Sequence, residues 1–134
     1  GAERVAAVDV GHGQLVDRLR GAPRVDVHEG LNVRHLDPEE VGGPVDLVVA
    51  DLSFISLTLV LGPLAAATRP GADLVLMVKP QFEVGRERLP RTGVVSDPQE
   101  RRRAVASVLD AAASAGLVPA GIARSPLPGQ EGNG

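Results

Sequence analysis

Cysteine is absent from this 134-residue chain, so neither a disulfide framework nor a thiolate metal site is available to it. No apolar run reaches the roughly 18 residues that a membrane-spanning helix requires. Charged residues make up 23% of the chain and hydrophobic residues 43%, with a formal net charge of −3. This balance is typical of a globular domain and not of a general polyanion binder. We therefore expect one cytoplasmic domain over residues 1–134, without membrane association.

Lysine is nearly absent as well. Of the 14 basic residues 13 are arginine, and Lys79 is the single lysine. A genomic preference for arginine codons explains most of the arginines, so a lone lysine indicates a position where arginine does not serve. Lysine offers a compact ammonium with a tunable charge, which the guanidinium does not. The chain has three histidines, and His12, His28 and His35 lack the spacing of a metal site, so no metal is predicted.

The rest of the chain alternates between two kinds of hydrophobic pattern. Short apolar or alternating runs predict strands at residues 4–10, 24–29, 44–51, 72–80 and 117–125. Amphipathic stretches with capping signals predict helices at residues 13–20, 53–71 and 97–116. The second of these is expected to be kinked or split at Gly62–Pro63. A long surface loop is expected at residues 81–96.

Strands that alternate with helices predict an α/β fold with a doubly wound, mainly parallel sheet. The nearly continuous apolar residues of the strand at 44–51 predict that both of its faces are covered. Ligands of such sheets bind beyond the carboxyl ends of the strands, so polar residues at those ends are the first candidates for a site.

Polar residues stand at the ends of three predicted strands, namely Asp9, Asp51 and Lys79. A single strand-end aspartate is usually a helix cap, but three polar ends, one of them the only lysine, favour a site. If the strands that end at Asp51 and Lys79 are neighbours, their backbones lie about 4.8 Å apart. Their side chains then meet and form a positioning device or half of a proton-transfer site.

Asp9 lies in an unusual arrangement with glycine. In the dinucleotide-binding fingerprint the glycines come first and the acid follows about 20 residues later. Here Asp9 precedes Gly11 and Gly13, and no third glycine follows. The carboxylate can accept hydrogen bonds from the hydroxyls of a cofactor ribose while Gly11 lets the cofactor approach the backbone. The alternative is that Asp9 caps the helix at 13–20.

Six segments, taken together, resemble a known family. They are AVDVGHGQL, NVRHL, VVADLSFISL, LVLMVKPQFE, GVVSDPQER and SPLPGQEGN, and they occur in this order in the TlyA family, also called haemolysin A, whose members are similar to FtsJ-like RNA methyltransferases. The resemblance implies a Rossmann-like class I methyltransferase fold. It also implies transfer of a methyl group from S-adenosylmethionine to ribose 2′-hydroxyls of ribosomal RNA, with ribosomal subunits as partners.

The resemblance also assigns roles to individual residues. The family's catalytic set is Lys-Asp-Lys-Glu, of which Asp51 matches the Asp and Lys79 the second Lys. By the same resemblance Lys79 deprotonates or orients the target hydroxyl. Asp51 positions that lysine, favours the charge that develops near the cofactor's sulfonium methyl, and counts among the cofactor-binding residues. Asp9 matches the ribose-binding acid. Asn32 matches a position near the adenine, with an ordinary turn residue as the alternative.

The resemblance leaves parts of the family pattern unmatched. Its glycine-rich loop belongs to a strand one βα unit before Asp9, its first catalytic lysine and its RNA-binding S4 domain also come earlier, and its glutamate falls just beyond residue 134. Glu131 is close to that position but does not match it. We therefore expect a partial catalytic domain, truncated at both ends. The alternative is a non-catalytic RNA- or protein-binding module that keeps the fold, whereas a membrane-lytic protein does not fit the composition.

Overall fold

The structure, a computed structural model, describes residues 2–9, 13, 17–53, 55–85 and 94–126. In these segments strands and helices alternate in the order β1 (Val5–Asp9), α1 (Asp17–Arg20), β2 (Val25–Glu29), β3 (Val45–Ala50), α2 (Leu61–Ala66), β4 (Thr68–Leu76), α3 (Pro80–Glu83) and α4 (Pro98–Ser114). Short 3-10 turns occupy Val33–His35, Pro38–Val41 and Leu57–Leu59. The predicted α/β class with parallel strands is confirmed.

The described strands form two parallel pairs, β1 with β2 and β3 with β4. Each pair is a separate two-stranded sheet. At the beginning of the strands the two pairs approach each other, since the Arg4 guanidinium just before β1 donates to the carbonyl oxygen of Gly42, just before β3, at 3.4 Å. Both pairs thus begin on the same side of the molecule, as the strands of a doubly wound sheet do.

The hydrophobic core lies between the β3–β4 pair, the turn Leu57–Leu59 and the helices α2 and α4. Helix α4 contributes residues spaced four apart, which therefore share one helix face. Its N-terminus is capped as predicted, because the Asp97 side chain accepts from the backbone N–H of Gln99 at 2.9 Å and Pro98 follows it. The fully buried cluster consists of Ala50, Leu57, Val60, Leu61, Leu64, Val108 and Ala112.

Only one face of the β3–β4 pair is covered in the part of the chain that the structure describes. Val48 and Leu74 point to the cluster and pack against it. The alternating residues Leu47, Val49 and Val75 point the other way and are 56%, 71% and 60% exposed. The expectation that both faces of this strand are covered is therefore wrong for the described residues.

The fifth strand, predicted at residues 117–125, is wrong. These residues are described and have no strand pairing, and Val118 and Ile122 are 89% and 67% exposed. Pro119 cannot donate to a ladder and Gly121 has no side chain to pack. An apolar run becomes a strand only beside a partner that completes its hydrogen bonds, and periodicity alone does not reveal whether one is present.

The helix predicted at residues 53–71, with a kink or split at Gly62–Pro63, is wrong in extent. The chain forms the turn Leu57–Leu59 and then α2, and it enters β4 already at Thr68. Gly62 and Pro63 lie in the first turn of α2, where backbone N–H groups have no helical partner and proline costs no hydrogen bond.

Two other boundaries differ from the predictions. Residues 81–96 are not wholly a loop, because α3 covers Pro80–Glu83; residues 86–93 lie outside the described residues. The helix predicted at 13–20 is described only as α1 at Asp17–Arg20, and residues 14–16 lie outside the description too. Within the described residues, no helix is long and apolar enough to cross a membrane.

Candidate active site

Lys79 and Asp51 meet at the carboxyl end of the β3–β4 pair. The Lys79 Nζ lies 2.7 Å from Asp51 Oδ1 and donates to the Ser53 hydroxyl oxygen at 3.0 Å. The lysine side chain is 21% exposed and that of Asp51 is 63% exposed. The lysine is thus partly enclosed, while the carboxylate that faces it is open to ligands.

The local fold explains why these two side chains meet. Ala50 pairs with Leu76 in the parallel register, and Met77 N–H donates to the Ala50 carbonyl at 2.9 Å, so both chains leave the sheet at the same edge. Pro80 lacks an N–H group and cannot extend the strand. It opens α3 instead, with Lys79 at the N-cap position in an extended conformation.

This arrangement can position an oxygen atom. A lysine ammonium has three N–H donors, and the described contacts engage two of them, with Asp51 and Ser53. The third direction is the one in which a ligand oxygen can be held. Among the described residues no group of three or more histidine, cysteine, aspartate and glutamate side chains could hold a metal ion.

In addition to the contacts of Lys79 with Asp51 and Ser53, the site contains a second pair of contacts that the sequence did not predict. Glu83, in α3, accepts the backbone N–H of Leu57 through Oε1 at 2.7 Å, and its Oε2 accepts from the Ser56 hydroxyl. In the sequence these residues, like Ser53, belong to the quoted segments VVADLSFISL and LVLMVKPQFE. Nothing in their spacing shows that the two segments touch.

The other predicted site residues gather at the end of β1. Asp9 is exposed at the last position of the strand, and its carbonyl oxygen accepts from the N–H of Leu31 at 3.0 Å. This bond brings Asn32 close to the end of β1. Asn32 caps the turn Val33–His35, because its Oδ1 accepts from the N–H of Arg34 at 3.0 Å. Gly11 lies outside the described residues, as do residues 14–16 of the helix that Asp9 was alternatively expected to cap.

The turn that follows Asn32 links this group to the core. Val33 packs against the buried cluster that includes Ala50, the last residue of β3, and its turn contacts α2. The chain beyond the end of β2 is thereby fixed against the elements that carry Asp51. The roles of Asp9, Gly11 and Asn32 toward a cofactor stay predictions.

Comparison with known proteins identifies the family. The family model described as FtsJ-like methyltransferase matches residues 1–134. The chain belongs to the FtsJ-like methyltransferase family. Its fold is accordingly the Rossmann-like methyltransferase fold, of which the two parallel pairs are parts.

Individual relatives agree with this assignment. The chain is 53% identical over 133 residues to the 16S/23S rRNA (cytidine-2′-O)-methyltransferase TlyA of Mycobacterium tuberculosis, covering 99% of this chain and 50% of that protein. It is 39% identical over 134 residues to YqxC of Bacillus subtilis, described as a candidate rRNA methyltransferase, with 99% and 48% covered.

A solved structure also resembles this chain over nearly its whole length. A protein from Streptococcus thermophilus, described as a candidate hemolysin, is 39% identical and superposes with a TM-score of 0.94, covering 99% of this chain and 48% of that one. The chain therefore spans about half the length of the curated relatives it matches. The resemblance to TlyA and haemolysin A proteins is confirmed over nearly the whole chain.

Proposed function

We propose that this chain carries part of the active site of an S-adenosylmethionine-dependent methyltransferase that acts on ribose 2′-hydroxyls of ribosomal RNA. The observation that carries the proposal is the contact between Lys79 and Asp51 at the carboxyl ends of neighbouring parallel strands. The name of the relative from Mycobacterium tuberculosis supports the 2′-hydroxyl as acceptor and ribosomal RNA as substrate. We propose accordingly that the reaction takes place in the cytoplasm, on ribosomal subunits.

The described acids fit the cofactor in their chemistry. Asp9 ends β1 as an exposed carboxylate, which suits hydrogen bonds from two vicinal ribose hydroxyls. Asp51 presents a second exposed carboxylate, which complements a positively charged sulfonium. When bound, S-adenosylmethionine supplies an electrophilic methyl group. Gly11 and Asn32 complete the proposed cofactor site by resemblance to the family.

Lys79 and Asp51 have separate parts in the proposed reaction. Lys79 holds the 2′-oxygen with its third N–H donor, while Asp51 and Ser53 fix the direction of the ammonium. As the oxygen gains the methyl group it loses its proton. An ammonium has no free electron pair, so Lys79 takes up that proton only after passing one of its own to a neighbour, and Asp51 Oδ1 lies at hydrogen-bond distance to receive it.

The replacement of Lys79 by arginine tests this role. Lys79→Arg keeps a positive charge but replaces the ammonium with a planar guanidinium that stays protonated. We expect methyl transfer to fall by about 10²-fold or more, the range of a lost general acid–base step. Cofactor affinity and melting temperature should stay near those of the wild type. The assay is methyl incorporation from labelled cofactor into ribosomal subunits.

An exchange in the opposite direction, from arginine to lysine, serves as the control. Arg18→Lys, on the exposed helix α1, should leave activity unchanged. Lys79→Arg activity within about threefold of wild type, well below the smallest effect of a general acid–base group, would contradict the catalytic role. A wild-type protein that binds subunits but transfers no methyl group would instead be the non-catalytic module.

A further inference from the structure

Polar contacts join the residues that follow β3 to the segment from Lys79 to Glu83 in two places. At one end, Lys79 holds Asp51 and Ser53. At the other end, Glu83 holds Ser56 and Leu57. Residues 51–53 are thus tied to Lys79, and residues 56–57 to Glu83, by two groups of polar contacts. Only the first group contains residues assigned to the reaction.

The Glu83 end is anchored in the core. Leu57 is 2% exposed, and Val60 just after it is fully buried, so the N–H that Glu83 accepts belongs to a fixed part of the backbone. Ser56 is in turn held as the cap of the turn Leu57–Leu59, where its hydroxyl oxygen accepts from the N–H of Thr58 at 3.1 Å. A carboxylate that accepts two such donors forms strong, charge-assisted hydrogen bonds.

Helix α3 requires such an anchor. It contains four residues, far fewer than the roughly 12 to 15 that an isolated helix needs to persist in water, so tertiary contacts must hold it. It packs against α4, and Glu83 adds the polar contacts to the turn at Leu57–Leu59. Because Lys79 is the N-cap of α3, the orientation of this helix sets the direction in which the lysine leaves the backbone.

We propose that Glu83 is a positioning residue for Lys79. It fixes α3 on the buried turn at Leu57–Leu59, and so it keeps the lysine between Asp51 and Ser53. Glu83 acts through the backbone and through Ser56, without touching the substrate. The importance of this role for catalysis rests on the proposed function, whereas the positioning itself does not.

The single lysine makes the proposal directly measurable. In the 134-residue chain the only lysine side chain is that of Lys79, so protein labelled with [13C,15N]lysine gives one set of lysine side-chain NMR signals. Acetylation by a succinimidyl ester, followed by peptide mass spectrometry, reports how freely the same ammonium is reached. Neither measurement requires methyl transfer.

Three substitutions test whether Glu83 positions Lys79. Glu83→Ala removes both acceptors, and we expect Lys79 to be acetylated about three- to tenfold faster, the factor that the loss of a hydrogen bond of ordinary strength produces. Its NMR signals should move toward those of a free lysine. Glu83→Gln retains an oxygen for the Leu57 N–H and should stay close to wild type. Glu39→Gln, at an exposed position, is the matched control and should change nothing.

Unchanged Lys79 signals and acetylation in folded Glu83→Ala would overturn the proposal. If Glu83→Ala does not fold, Glu83→Asp decides instead, because it keeps the charge and shortens the arm by one methylene. Faster acetylation with Glu83→Asp supports positioning, and wild-type behaviour overturns it. If Lys79→Arg retains activity while Glu83→Ala still frees the lysine, the proposed function fails and the positioning role stands.

Discussion

Two ion pairs connect β3 and β4, one toward each end of the strands. Asp46 pairs with Arg69 near the beginning of β3, and Asp51 pairs with Lys79 beyond its end. Both aspartates are largely exposed, at 79% and 63%, and exposed pairs contribute only about 0 to 1 kcal/mol to stability. The two aspartates are thus alike in exposure, although Lys79 is 21% and Arg69 59% exposed. Only the second pair lies at the edge of the sheet where ligands bind.

This likeness gives a matched test at the residue scale. We expect Asp51→Asn to change the free energy of unfolding by less than about 1 kcal/mol and to reduce methyl transfer strongly, because the amide neither balances the ammonium nor accepts its proton. Asp46→Asn should have the same small effect on unfolding and none on methyl transfer. Chemical denaturation and methyl incorporation, measured on both variants, check the prediction. Equal activity of the two variants would refute a special role for Asp51.

The sequence was informative about this pair because strand ends are visible in it. Asp51 and Lys79 each follow an apolar run, and parallel neighbours bring their ends together. Glu83 was not predictable in the same way. Its partners lie 26 and 27 residues away in the chain, and their meeting depends on how α3 turns after Pro80, which local patterns do not encode.

At the scale of elements, prediction succeeded where the signals were local. Helix α4 has an aspartate cap, a proline at its first position and buried residues four apart, all of which can be read from a single stretch of sequence. The predicted strand at 117–125 failed because a strand depends on a neighbour. The predicted helix at 53–71 failed because helix and buried strand share a similar apolar composition.

The elements around the active-site edge are held by a small number of buried leucines. Leu61 is 1% exposed, and Leu59, two residues earlier, is 45% exposed. We expect Leu61→Ala to lower the free energy of unfolding by about 2 to 5 kcal/mol, as for other leucines removed from a core. Leu59→Ala should cost far less, because most of its side chain is already in water. Urea unfolding of both variants makes the comparison, and equal losses would show that α2 does not anchor the core.

At the scale of the whole molecule, the chain can be compared with relatives that are longer than it. It spans about half the length of the relatives it matches, and its exposed Asp9 is an acid suited to ribose. We expect this chain alone to bind S-adenosylmethionine more weakly than a full-length relative, because it covers only about half of such a protein. The full-length Mycobacterium tuberculosis relative should bind clearly.

Isothermal titration calorimetry on the two proteins compares these affinities. S-adenosylhomocysteine, which lacks the methyl group but keeps the ribose and adenine, serves as the second ligand. Affinity of this chain equal to that of the longer relative would show that the described acids suffice. In that case the earlier βα unit is not needed for cofactor binding.

The separation of the strands into two pairs has a consequence for local unfolding. No strand hydrogen bonds cross from β1–β2 to β3–β4 among the described residues, and the fully buried side chains of the main cluster belong to the second pair and its helices. We therefore expect, in this 134-residue chain, faster exchange with solvent for the amides of β1 and β2 than for those of β3 and β4.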